Sequence, residues 1–228
     1  MTTVGQNKQD TQALLACSDA ELVARVQRGD INAYEGIMRR YNQRLYRVTR
    51  SILNNDAAAM DAIQEAYIKA FEQLEMLQDI EALPTWLSRI ARNEALQNLR
   101  RNQRTLFMSP EQLEPVLEFS MMKKKTALPE DELANQQLGQ LLQQCIEKLP
   151  EAFRSVYVLR AIEQCSVLET SNILEIPQAT VKTRYFRANT LLQQQLNKQL
   201  QKSDLTLYEF AGHRCDAVVQ NVLERLTG

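Results

Sequence analysis

Apolar residues recur every three or four positions along most of this chain, the period of a helix with one buried face. Ala33, Ile37, Tyr41, Leu45 and Val48 form one such stripe, which predicts a helix from Asp30 to about Leu53. Ile63, Tyr67, Ala70 and Leu74 form the next and predict a helix from the Asn54-Asn55-Asp56 turn to about Leu77. Ahead of both, Ser18 and Glu21 have the spacing of a capping box, each side chain satisfying a free backbone N–H of the other. That short first helix ends at Gly29, and Asp30 is placed to cap the second. A fourth helix begins near Pro84, a residue tolerated in a first turn, and extends to about Arg104.

From Thr105 to about Glu130 the period fails, and Pro110, Pro115 and Pro129 interrupt the chain. This stretch, 105–130, reads as a flexible linker with room for one helical turn. A second helical domain is expected over 131–202. Glu151 to Ile162 is predicted as one helix burying Val156, Leu159 and Ile162. Ser166 and Glu169 form another capping box and open a short helix to Leu174. Glu175-Ile176-Pro177 then breaks the chain before a longer, basic helix, which is the arrangement of a helix-turn-helix. Beyond it, 203–228 is predicted as a C-terminal extension helix with Cys215, Val218, Val219, Val222, Leu223 and Leu226 on one stripe. That stripe suits docking back on the body or binding a regulator. Residues 1–17 are expected to be disordered. The fold class is therefore all-α: two helical domains joined by a flexible linker, the second a helix-turn-helix, plus the C-terminal helical extension.

Composition narrows the function classes. Six glycines and six prolines in 228 residues favour helices over turn-rich sheets. A formal net charge of −1 argues against blanket coating of nucleic acid, but the charge is uneven. Between residues 89 and 104 Arg89, Arg92, Arg100, Arg101 and Arg104 face only Glu94, and between residues 181 and 198 Lys182, Arg184, Arg187 and Lys198 face no acid. Such local patches fit selective phosphate contact. The four cysteines are scattered and His213 is the only histidine, so no zinc spacing is present; His213 and Cys215 alone are too few for a metal site. Reduced thiols in the cytoplasm are the expectation. No apolar run has signal-peptide or membrane-span length, and no nucleotide loop or nucleophile–base pair suggests an enzyme. No metal, cofactor or small-molecule substrate is expected.

Three helix faces carry candidate chemistry. At 100° per residue, the predicted basic helix turns Val181, Tyr185, Ala188 and Leu192 inward. Lys182, Thr183, Phe186, Arg187 and Thr190 turn outward, offering cations, hydroxyls and an exposed aromatic to a DNA groove. A solvated basic helix in a bundle is the alternative. On the third helix Asp61, Glu65, Ile68 and Glu72 point out. An isoleucine among carboxylates suggests a protein partner with basic rims and an apolar socket, against an ordinary acidic face with one stray apolar residue. On the fourth, Trp86, Arg89, Asn93, Gln97 and Arg100 share a stripe suited to unpaired DNA strands, with Trp86 read as partly structural.

The order of these parts resembles a known family. Asp61-Ala-Ile-Gln-Glu-Ala-Tyr-Ile-Lys-Ala-Phe71 resembles the polymerase-binding helix of extracytoplasmic-function (ECF) sigma factors. Trp86-Leu-Ser-Arg-Ile-Ala-Arg-Asn93 is similar to their promoter-melting, −10-reading helix. Leu149-Pro-Glu-Ala-Phe-Arg-Ser-Val-Tyr-Val-Leu-Arg160 and Thr180-Val-Lys-Thr-Arg-Tyr-Phe-Arg-Ala188 resemble the two main helices of their −35-reading domain. The resemblance covers most of residues 18–200 and implies that 18–104 corresponds to sigma region 2 and 131–202 to sigma region 4. It implies that Asp61, Gln64, Glu65 and Ile68 dock on core RNA polymerase. Trp86, Arg89, Asn93, Gln97 and Arg100 would engage the −10 element, and Lys182, Thr183, Phe186, Arg187 and Thr190 the −35 groove. The linker would thread through the polymerase. Promoter DNA and core polymerase are the implied partners, with an anti-sigma factor as the class of regulator that commonly holds such proteins inactive.

Departures from the family pattern fall in the reading elements. Where the family captures a flipped −10 base, often with an aromatic, a basic residue and a glycine, this chain has Leu77, Gln78 and Asp79. Gln97 stands where aspartate is usual, Gln164-Cys165 replaces a glycine-containing turn, and Thr170-Ser171 replaces an apolar-small pair. These changes bear on promoter sequence more than on fold. Two alternatives to a working sigma factor stay open at this point. One is a sigma-like regulatory protein that binds polymerase or another partner without productive promoter reading; the other is a DNA-binding repressor acting without polymerase.

Overall fold

The structure, a computed structural model, describes residues 14–108, 130–202 and 220. Among these residues every regular element is helical, as the apolar period requires. The chain divides into two compact units, Met1–Leu192 and Gln193–Gly228. The expected extension over 203–228 and the core of the expected linker, 109–129, lie outside the described residues, apart from Gln220, which is helical. No helix among the described residues is long and apolar enough to cross a membrane.

The first unit opens with α1 (Asp19–Gln27), α2 (Ile31–Leu53) and α3 (Asp56–Glu72). Two short 3-10 turns, Leu74–Met76 and Ile80–Ala82, lead into α4 (Leu83–Met108). Ser18 caps α1 in the predicted box with Glu21, and Asn55 caps α3 by accepting from the Ala58 amide at 2.9 Å. Asp30 does stand at the N-cap of α2 but makes no side-chain cap bond. Its Oδ2 instead accepts from Arg25 Nε at 2.9 Å and Nη2 at 2.7 Å, charge-assisted bonds stronger than one to a backbone amide. The Arg25 guanidinium also holds the Asp30 carboxyl below the usual carboxylate range. Of residues 1–17, expected to be disordered, 1–13 lie outside the described residues and 14–16 are helical, ahead of the expected start at Ser18. Leu14 is buried, and at Gly36 a Cβ would stand 2.8 Å from Leu22 Cδ2 and 3.3 Å from Leu14 Cβ. A bare glycine backbone thus lets the N-terminal turn seat on α2.

Leu22, Ile37, Leu45, Leu74, Leu83 and Leu87 are the large side chains at the centre of this bundle. Two buried tyrosines lie among them with their hydroxyls satisfied. Tyr34 donates to the Tyr67 carbonyl at 2.7 Å and Tyr67 to the Met38 carbonyl at 3.0 Å. Burial raises both phenols well above their ordinary pKa, so they stay neutral donors and pin α2 to α3. α4 continues to Met108, so 105–108, expected as linker, is helical.

After residue 129 come α5 (Glu130–Glu147), α6 (Glu151–Tyr157), α7 (Val167–Leu174) and α8 (Gln178–Lys202). Ser166 and Glu169 close the second predicted capping box. The predicted helix from Glu151 to Ile162 is not uniform: its last five residues, Val158–Ile162, form a π turn. The widened turn rotates Ile162 off the apolar stripe. Ile162 is therefore exposed at 37%, not buried as expected, whereas Val156 and Leu159 are fully buried. The turn also frees the Leu159 carbonyl to accept the Cys165 amide at 2.9 Å.

The two bundles meet along α2 within the first unit. Val48 does not enter the first core; it packs with Val156, Leu159, Cys165, Ile173, Leu174 and Val181 of the second. Around it, α2 presents Arg44, Arg47 and Arg50, one per turn. Arg47 pairs with Glu163 at 2.8 Å and Arg50 with Glu147 at 3.0 Å. Arg44 donates to Ser88 Oγ at 3.0 Å and to Cys165 Sγ at 3.2 Å.

Candidate functional site

The acidic face of α3 is built as its period requires. Ala62, Ala66, Tyr67 and Ala70 are buried, with Ile63 partly so, leaving Asp61, Gln64, Glu65 and Ile68 exposed together. Ile68 is 56% exposed, and the sequence reading missed that Met60, Phe71 and Met76 are exposed nearby along the chain. Apolar side chains left uncovered between carboxylates are the composition of a protein-binding patch. Met60 and Phe71 lie off the predicted stripe of Ile63, Tyr67, Ala70 and Leu74, and that spacing was the signal that could have found them.

On α4, Leu83, Leu87, Ala91 and Ala95 are buried and Arg89, Gln97 and Arg100 are exposed, with Asn93 intermediate. Trp86 packs against the core with one part accessible, which matches its reading as partly structural. Glu94, the one acid in this basic stretch, turns inward and is buried, paired with Lys69 at 2.7 Å. Its charge is thereby withdrawn from the surface, and the outward face keeps cations and amides only. The segment before α4 is ordered by Asp79, which accepts from the Glu81 amide at 3.0 Å. Asp79 acts there as a turn cap.

The helix-turn-helix is held from behind. Val181, Ala188 and Leu192 are buried, and Tyr185 lies in the groove between Tyr157, whose ring stacks at 6.3 Å, and the Arg160 guanidinium, 5.6 Å from its centroid. These contacts fix the rotation of α8 and leave Lys182, Thr183, Phe186, Arg187 and Thr190 all exposed. Phe186 is 73% exposed, a position unfavourable in water unless a partner covers it. Thr183 and Thr190 donate their hydroxyl hydrogens to the carbonyls of Ala179 and Phe186, at 2.5 and 3.1 Å. Only their lone pairs then face outward, so toward a base edge they are acceptors, suited to the exocyclic amines of cytosine or adenine.

One residue the sequence reading passed over joins the bundles. Arg154 of α6 is buried at 7% exposure and has four carbonyl partners. It donates to Ser51 at 2.6 Å and Ile52 at 3.3 Å on α2, and to Glu147 at 3.0 Å and Leu149 at 2.9 Å ahead of α6. The carbonyls of Ser51 and Ile52 end α2 and lack intrahelical partners, so a cation is favoured there. Burial draws the guanidinium pKa down, yet Arg starts so high that it stays charged.

Comparison with known proteins agrees with this layout. The family model "Sigma-70 region 2" matches residues 37–105, and "Sigma-70, region 4" matches residues 139–191. The ECF RNA polymerase sigma factor SigW of Bacillus subtilis is 33% identical over 176 residues, 76% of this chain and 94% of that protein. The ECF RNA polymerase sigma-E factor of Escherichia coli K12 is 33% identical over 75% of this chain and 90% of its own. Among solved structures, the sigma factor RpoE of Bartonella quintana, in complex with the anti-sigma factor NepR, has a TM-score of 0.57 at 20% identity. It covers 73% of this chain and 98% of that one. CnrH, solved with the cytosolic domain of CnrY, has a TM-score of 0.54 at 22% identity, covering 79% and 97%. These two likenesses show the same fold. With both regions matched in order around the two exposed helix faces, the chain belongs to the ECF sigma factors of RNA polymerase, promoter-recognising factors of transcription initiation.

Proposed function

We propose a division of labour within this sigma factor. Residues 18–104 bind core polymerase through Asp61, Gln64, Glu65 and Ile68, and engage the −10 element through Trp86, Arg89, Asn93, Gln97 and Arg100. Residues 131–202 read the −35 major groove through Lys182, Thr183, Phe186, Arg187 and Thr190. Residues 105–130 connect the two, and 203–228 is an accessory segment. The protein acts in the cytoplasm without chemistry of its own, since bond formation belongs to the polymerase, and an anti-sigma protein is its class of inhibitor. The observation that carries this reading is Phe186, exposed between Lys182 and Arg187 on a helix whose opposite side is locked in place. A bare phenyl flanked by cations matches a thymine methyl flanked by phosphates.

Photo-crosslinking in the assembled promoter complex tests the assignment. A photoreactive residue at Phe186 is expected to label DNA near −35, and one at Gln97 near −10. Labels at neither position, or exchanged between them, would refute it. Phe186→Ala should leave thermal stability within about 0.5 kcal/mol, as for other exposed positions. It should lower preference for the cognate promoter about fivefold, the order of ~1 kcal/mol for one base contact.

A further inference from the structure

We propose that Tyr185 and Arg160 form a positioning clamp that sets the base preference of the −35-reading face by holding the rotation of α8. The inference rests on the assignment of that face just given. The inward stripe of α8 is Val181, Tyr185, Ala188 and Leu192, and all but Tyr185 are buried. Val181 and Ala188 are short, so they set how closely α8 approaches the bundle but give little leverage against rotation about its axis. Tyr185 reaches further and is partly buried. Its ring stacks on Tyr157 of α6, with centroids 6.3 Å and planes 25° apart. The Arg160 guanidinium lies 5.6 Å from the same centroid, within cation–π range. Phe186 is the next residue and Lys182 is one turn back, so a swing of Tyr185 carries the reading face with it. A rotation of ~20° moves atoms at the ~5–6 Å radius of a helix by about 2 Å. A recognition geometry must be held to roughly 0.5 Å.

Arg160 ties a second element to the same point. Its Nη1 donates to the carbonyl of Cys165, in the turn that leads into α7. The amide of Cys165 donates to the Leu159 carbonyl at 2.9 Å. The turn is thus bonded through both backbone groups of one residue to the π turn that ends α6. Gln164, immediately before it, sits in the left-handed region at φ 54°. Glycine adopts that conformation at no steric cost and glutamine does not, so this turn depends on outside bonds to hold its shape. Through Arg160, the turn ahead of α7 and the reading helix α8 take their orientation from one guanidinium. Neither can rotate against α6 without breaking an Arg160 contact.

The test is run-off transcription by the full chain with core polymerase, at sub-saturating protein, from two promoters that differ only in the −35 element. One carries the sequence that the wild-type protein selects from randomised −35 DNA, the other a scrambled version, and the ratio of initiation is read. A variant that merely folds less well lowers both in proportion, and a lost phosphate contact does the same, so neither moves the ratio. Tyr185→Leu keeps apolar bulk and loses the ring; it is expected to cut the ratio about fivefold, the order of one misaligned base contact. Arg160→Met should do the same. The double variant should also lose about fivefold, not the roughly 25-fold of independent effects, because both changes break one device. Tyr185→Phe keeps the ring and should match the wild type. With Phe186→Ala lowering the ratio as expected, an unchanged ratio in Tyr185→Leu, or a multiplied loss in the double variant, refutes the clamp. If Phe186→Ala leaves the ratio unchanged as well, the −35 assignment of this face is what fails.

Discussion

Replacing Arg154 by alanine is expected to lower stability by about 3 kcal/mol, more than any surface change in this protein. The side chain is buried and donates to four carbonyls, of Ser51, Ile52, Glu147 and Leu149. Hydrogen bonds from a charged donor contribute roughly 1.5–3 kcal/mol each in favourable cases. Water entering the vacated space and re-solvating the carbonyls recovers much of that, which keeps the net loss well below the sum of the four bonds. At roughly 2–4 °C per kcal/mol for a chain of this size, the midpoint of thermal unfolding should fall by roughly 6–12 °C. Arg154→Met separates packing from bonding: it refills the apolar volume but leaves the carbonyls bare, and should be nearly as damaging as alanine. Arg154→Lys should be intermediate, because one compact ammonium cannot reach the carbonyls of α2 and those ahead of α6 together. Calorimetry of the three variants checks the order. A methionine variant as stable as wild type would mean that the guanidinium fills space and does nothing more.

Reversing the charge of Asp61 and Glu65 together is expected to weaken binding to core polymerase by about 100-fold, some 3 kcal/mol. Both side chains are exposed on α3, beside Ile68, so the change leaves the buried alanine face of the helix untouched. The double variant Asp61→Lys, Glu65→Lys should fold with an unchanged far-ultraviolet spectrum and melt within about 1 kcal/mol of wild type. Loss of affinity therefore reports on the interface rather than on the fold. Ile68→Ala should add a further loss at low and high salt alike, whereas the loss from charge reversal should shrink as salt screens the pairing. Titration of labelled protein with core polymerase measures both. Unchanged affinity in the double variant would remove the polymerase from this face.

Much of the fold was legible in the sequence because it rests on local rules. Ser18, Asn55 and Ser166 cap helices where predicted, and the stripes Ala33–Val48 and Val181–Leu192 face inward as their spacing requires, with Tyr185 alone of their members only partly buried. The exposed faces followed from the same geometry. What escaped depends on partners far away in the chain. Arg154 reads as one more polar helix position until α2 supplies its carbonyls, about a hundred residues earlier. Val48 reads as core of the first bundle but packs in the second. Arg44, Arg47 and Arg50 recur at steps of three, a periodic signal on the page, but nothing local says that Cys165, Glu163 and Glu147 receive them. Ile162 was misplaced because apolar periodicity assumes a uniform α-helix, and the π turn at Val158–Ile162 shifts the register. Glu94 shows the reverse case: its inward turn toward Lys69 sharpens a cationic face that composition had only outlined.

The most direct measurement is transcription in vitro with purified core polymerase on a library of promoter fragments, with and without this protein. Discrete start sites that appear only on its addition, and that share one sequence near −10 and another near −35, are the expected result. Polymerase that binds the protein yet initiates at no specific site would contradict it, leaving a sigma fold that has kept the polymerase-binding face and lost promoter reading.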